Sequence, residues 1–205
     1  MSLITTPALE FLYNESLNDD IEYKDSAFWQ HYLILKFPPN ERYIVSHEHS
    51  PDNKDRQRVD IKVRYLDPHA NTAITLLMTE CKRKGTSKFK ELEPQLSRYA
   101  ESYFNANPSA EYVYGMTVWG IKARVWTASP VWKERHGHYI LKEVILEPSF
   151  GPATLNDKNS YIDAGHVYAW YIEAAINDIK NQPAPPKPKE LLDLENAQAS
   201  GSSAP

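Results

Sequence analysis

Two short runs hold the residues best suited to chemistry, Val59-Asp60-Ile61-Lys62-Val63 and Leu76-Leu77-Met78-Thr79-Glu80-Cys81-Lys82. Each is apolar and strand-like, and each carries a carboxylate. The segment between them, Leu66-Asp67-Pro68-His69-Ala70-Asn71, is rich in turn formers. An antiparallel hairpin centred on position 70 sets Asp60 directly across from Glu80. Residues opposed in this way share a face, with Cβ atoms about 5 Å apart. Lys82 lies two residues beyond Glu80 and shares that face too. Two carboxylates that close repel unless a proton or a cation intervenes. An oxygen-only pair suits a hard divalent ion such as Mg²⁺, with Mn²⁺ as its substitute.

Strands and helices must position these groups. A short helix is expected over 7–17. Asp25-Ser26 is placed to cap a second helix running to Lys36, with Phe28, Tyr32 and Leu35 at helical spacing. Pro38-Pro39 stop it. Strands are expected at 43–46, around Asp60, at 74–81, at 112–119, at 121–127 and at 139–146. Leu76, Leu77 and Met78 are apolar at consecutive positions, which marks a central strand buried on both faces. Gly85-Thr86-Ser87 breaks the sheet, and a helix follows to about Asn105. It carries Gln95 and Tyr99, four apart and therefore on one side. A long helix is expected over 159–180. The fold class is α/β, a mixed central sheet flanked by helices. Residues 1–181 form one domain, and 182–205, rich in Pro, Ala and Ser, read as a disordered tail.

With these elements in place, Asp60, Glu80-Cys81-Lys82 and Gln95-Leu96-Ser97-Arg98-Tyr99 resemble the motifs of the PD-(D/E)XK nuclease superfamily. The first two sets are similar to its Asp…(Asp/Glu)-x-Lys signature. The third is similar to the Gln-x-x-x-Tyr motif of its RecB-like branch. The resemblance covers residues 25–127, about half the chain. It implies a restriction-endonuclease-like core of helix, three-stranded meander, helix and strand. It also implies Mg²⁺-dependent phosphodiester hydrolysis, expected on DNA. Asp60, Glu80 and the backbone carbonyl of Cys81 would bind the metal. Lys82 would act on the attacking water, and Gln95 would support the site from the helix. Arg58, Arg83, Lys84, Lys88 and Tyr99 would contact nucleic acid.

Charge and composition bear on partners. The net charge of −4 is not that of a general nucleic-acid binder. Yet ten of the 23 Lys and Arg residues, Lys54, Arg56, Arg58, Lys62, Arg64, Lys82, Arg83, Lys84, Lys88 and Lys90, flank the carboxylate pair. Phosphate neutralisation uses basic groups in that way. The single cysteine excludes an intrachain disulfide and favours a reducing, intracellular setting, cytoplasmic or nuclear. No apolar stretch reaches the length of a membrane span. Aromatic content of 12% argues for a packed chain.

Other readings of the same residues stay open. Glu80 and Lys82 can form a simple ion pair at a strand end, with Asp60 paired to Arg58 or Lys62. The fold can bind nucleic acid or a protein without cleaving anything, or depend on a protein partner for targeting. The pairs His47/His49 and His136/His138 have strand-chelate spacing for zinc but no third ligand nearby. Cys81 is expected to point into the core, away from Glu80.

Overall fold

A strand that is apolar at consecutive positions must be covered on both faces, and the topology supplies that cover. The computed structural model describes residues 1–18, 22–49, 59–68, 71–85, 87–135 and 138–181. Arg58 and the tail lie outside them. Strand β3 (Thr72–Lys82) is buried continuously from Leu76 to Cys81. It lies in the middle of a seven-stranded mixed sheet with β1 (Tyr43–His49), β2 (Val59–Asp67), β4 (Val113–Trp119), β5 (Lys122–Arg135), β6 (His138–Pro148) and β7 (Ile162–Asp163). The strand order is β1-β2-β3-β4-β5-β6, and β7 pairs with β5. All neighbours are antiparallel except β3 and β4.

A parallel neighbour requires a crossover. Here it is a 3-10 turn (Ser87–Glu91) followed by α3 (Leu92–Ala106). Pro94 sits in the first turn of α3, where its missing N–H leaves no bond unmade. α3 packs Leu96, Tyr99, Tyr103 and Phe104 against Met78 and Trp126 on one sheet face. On the other face lie α1 (Pro7–Asn18), α2 (Glu22–Lys36) and α4 (Trp170–Asn181). Phe28, Trp29, Leu33, Ile172 and Ile176 from these helices cover Ile61, Val63, Leu77, Cys81 and Val118. The α/β class and the central, two-sided position of β3 are as expected.

Three elements differ from the sequence reading. Helix α2 begins at Glu22, so Asp25 lies within it, 2% exposed, and does not cap it. Strand β5 continues past Thr127 to Arg135, because β6 pairs along its full second half. The long helix over 159–180 is absent until Trp170. Asp157 accepts from the Asn159 N–H and His166 from the Tyr168 N–H, closing two separate 3-10 turns. Between them Ile162 and Asp163 add to the edge of β5 opposite Ala123 and Lys122. Sheet pairing here overrides a helical apolar pattern, and Val167 and Trp170 are left exposed. Among the described residues, no helix is long and apolar enough to cross a membrane.

Candidate active site

The hairpin register decides whether the two carboxylates meet. Ile61 pairs with Thr79, Lys62 with Met78 and Val63 with Leu77. One further step puts Asp60 beside Glu80. Nearer the turn the register slips by one residue, and Arg64 pairs with Thr75. Without that bulge at Leu76, Asp60 would fall opposite Thr79, and Glu80 would lose its partner. Bulges re-aim side chains in this way, and the neighbours Leu76 and Leu77 accordingly enter the same core cluster.

At the end of the ladder, the Cys81 backbone N–H donates to Asp60 Oδ2 at 2.7 Å. Lys82 Nζ donates to Glu80 Oε1. From α3, the Gln95 side-chain amide donates to the Tyr99 hydroxyl, which in turn reaches the Glu80 carboxylate. Asp60, Glu80, Lys82, Gln95 and Tyr99 are therefore one connected set, drawn from three elements. Cys81 turns its thiol into the opposite core, as its alternation in β3 requires.

Glu80 has no exposed surface. Burial, and then the negative charge of Asp60, push its carboxyl up to about 7, while Lys82 and the Tyr99 hydroxyl pull it back. Burial, and then Glu80, likewise raise the Tyr99 phenol. Glu80 Oε2 is buried and makes no hydrogen bond. A buried carboxylate oxygen without a donor is costly unless a proton or a cation meets it. The donor set fits a hard divalent ion: two carboxylates and the Cys81 carbonyl, with water completing the shell. Among the described residues no three His, Cys, Asp or Glu side chains gather into a metal-binding group.

The set is largely enclosed: Glu80 is fully buried, and the Lys82 side chain bonded to it is only 12% exposed. Tyr99 is 3% exposed and hydrogen-bonded within the site, so it buttresses Glu80 and offers no surface to a nucleic acid. Arg83, Lys84 and Lys88 are exposed on the stretch leaving β3. Lys62 is 4% exposed, so β2 does not present a solvated basic face there. Of the histidines considered for zinc, His47 bonds Gln30, and position 136 lies outside the described residues.

A polar row on the same sheet face escaped the sequence reading. Glu80 is in register with Thr117, and Thr117 with Arg124. Trp126 Nε1 donates to Thr117 Oγ1 at 2.7 Å. The Tyr161 hydroxyl donates to Glu93 Oε1 at 3.1 Å and lies 2.7 Å from Thr117 Oγ1. The Asn156 N–H donates to Glu93 Oε2 at 2.6 Å. Burial raises the Glu93 carboxyl, and these two donors oppose the rise. One signal was present: Arg124 interrupts the apolar run Ala123 to Trp126, where a charge needs a reason.

Set against known proteins, the chain matches no family model, no curated protein and no solved structure.

Proposed function

We propose that the chain is a metal-dependent nuclease acting on phosphodiester bonds, with DNA as the expected substrate. The observation that carries this reading is the convergence on Glu80. One buried carboxylate is approached by Asp60, Lys82 and the Gln95-held Tyr99, and one of its oxygens lacks a donor. The order α2, β1-β2-β3 meander, α3, then β4 parallel to β3 is that of the PD-(D/E)XK core and supports the resemblance.

Asp60, Glu80 and the Cys81 carbonyl would hold Mg²⁺ or Mn²⁺. The chemistry such an ion supplies is activation of water and shielding of phosphate charge. Lys82 would orient the attacking water and stabilise charge that develops on the phosphate. Tyr99, fixed by Gln95, favours the ionised form of Glu80 against the rise that burial and Asp60 impose. Arg83, Lys84 and Lys88 would hold flanking phosphates through salt-dependent contacts. The lone buried cysteine fits an intracellular setting.

A second reading has its own observation. Glu80 is fully covered, as befits a domain that keeps the fold and binds without cleaving. A cleavage assay separates the two. The full chain, with Mg²⁺ or Mn²⁺, is incubated with single-stranded, double-stranded and branched DNA and RNA. Cleavage that disappears in Glu80→Gln supports the nuclease. Salt-dependent binding with no cleavage on any substrate overturns it in favour of the binding domain.

A further inference from the structure

Arg124 is a buried guanidinium without a counter-charge. It is 2% exposed, and Nη2 donates to the carbonyls of Phe150 and Gly151, each at 2.5 Å. Nε is buried with no acceptor. Among the described residues no carboxylate pairs with it. Buried charges in folded proteins are paired or bind an ion, since desolvation of a lone charge is expensive. Here the backbone carbonyls satisfy part of the group and leave its charge uncompensated. Consistent with this, burial lowers the Arg124 affinity for its proton, and the neighbours that oppose the effect are the tyrosines Tyr171 and Tyr161.

The same arginine lines a cavity of about 300 Å³, near where β5 passes from pairing with β7 to pairing with β6. Asn159, Ser160, Tyr168 and Tyr171 also line it, and Asn159 and the two tyrosines bring amide and hydroxyl donors. Asp157 is the nearby acid, and it is occupied by the Asn159 N–H and the Ser160 hydroxyl. Arg124 lies in the same cross-strand row as Glu80, with Thr117 between them, and none of Asp60, Glu80 and Lys82 lines the cavity.

We infer that this cavity is a phosphate-binding site, in which Arg124 supplies the charge and Asn159 and the two tyrosines supply neutral donors. Nη2 is taken by carbonyls and Nε is closed off, so a phosphate would meet the guanidinium through Nη1, and it has enough oxygens to take that group and several neutral donors at once. The site is independent of the metal reading and would stand if no cleavage were found.

The test is titration of the full chain with inorganic phosphate, followed through the arginine Nε–H signals in proton–nitrogen correlation spectra. One such signal should shift saturably and be missing from Arg124→Met. Because Arg124→Met can lose its fold, Asn159→Asp provides a second arm. Asn159 is exposed, so that variant should fold and, by placing a negative charge at the cavity, weaken phosphate binding about tenfold or more. A terminally phosphorylated oligonucleotide that displaces phosphate when its unphosphorylated twin does not would make a strand end the source of the group. Displacement by neither would assign the site to free phosphate. No saturable arginine shift, or a shift of unchanged affinity in Asn159→Asp, overturns the proposal.

Discussion

The Cys81 N–H donates to Asp60 Oδ2 at 2.7 Å, a bond from the strand that carries Glu80 to the side chain of the opposing acid. It closes the hairpin end where the backbone ladder stops and points Asp60 toward Glu80. Asp60 thus has a structural duty separable from any metal. Asp60→Asn keeps an acceptor for Cys81 and should leave stability nearly unchanged. Asp60→Ala orphans that N–H and should cost about 1–3 kcal/mol. Both should abolish cleavage. Urea titration and the nuclease assay on the two variants read the difference.

The raised Glu80 carboxyl makes metal-free stability depend on pH. In the unfolded chain it titrates near its ordinary 4.5, in the folded protein near 7. The folded state therefore holds the proton more tightly. The stabilisation this brings is complete below pH 4.5, falls as pH rises, and is gone above about 7. Its size is on the order of 3 kcal/mol. Thermal melts in chelator from pH 5 to 8 should show that loss, and Glu80→Gln should remove it. Mn²⁺ should raise Tm more at pH 8 than at pH 5, because it binds the ionised form.

Lys82 is tied to Glu80 more closely than a group acting only on water would be. Its ammonium contacts Glu80 Oε1 and lowers that carboxyl. Lys82→Met should therefore abolish cleavage and also raise the pH at which Mn²⁺ binds. Calorimetric titrations at several pH values check this. Unchanged metal affinity across the range would show that the contact does not control Glu80.

Tyr99→Phe removes the hydroxyl between Gln95 and Glu80 while keeping the ring in the α3 core. We expect a loss of about 1–2 kcal/mol from the unmet partners. Activity should fall most near neutral pH, since Glu80 loses a group that favours its ionised form. A pH–rate profile displaced to higher pH is the expected signature.

Gly115 lies in β4 beneath α3. A Cβ there would stand 2.6 Å from Leu96 Cδ2, and Leu96 is fully buried, so the leucine or its helix must shift. Gly115→Ala should push α3 outward, cost about 1–3 kcal/mol and lower activity by moving Gln95 and Tyr99. A crystal structure of the variant would show whether the helix shifts; an unmoved α3 with full activity would contradict the account.

The sequence by itself determined the hairpin that holds the carboxylates. Alternating polarity around Asp60, the turn formers at 66–71 and the unbroken apolar run at 76–78 leave little freedom in strand type or pairing partner. The helix period likewise put Gln95 and Tyr99 on one side of α3. These signals are local, and local physics is what a linear chain displays. Tertiary structure alone decided the rest. The bulge at Leu76 sets the register that brings Asp60 to Glu80, and it answers to packing on both sheet faces. The burial of Glu80 comes from Lys82 and a tyrosine on another element. The expected helix over 159–180 failed because an open edge of β5 offered backbone hydrogen bonds to Ile162 and Asp163, a competition invisible to periodicity. Thr117, Arg124, Glu93 and Tyr161 came together from β4, β5, α3 and a late loop. Each has a local pattern that explains nothing until the sheet sets them side by side.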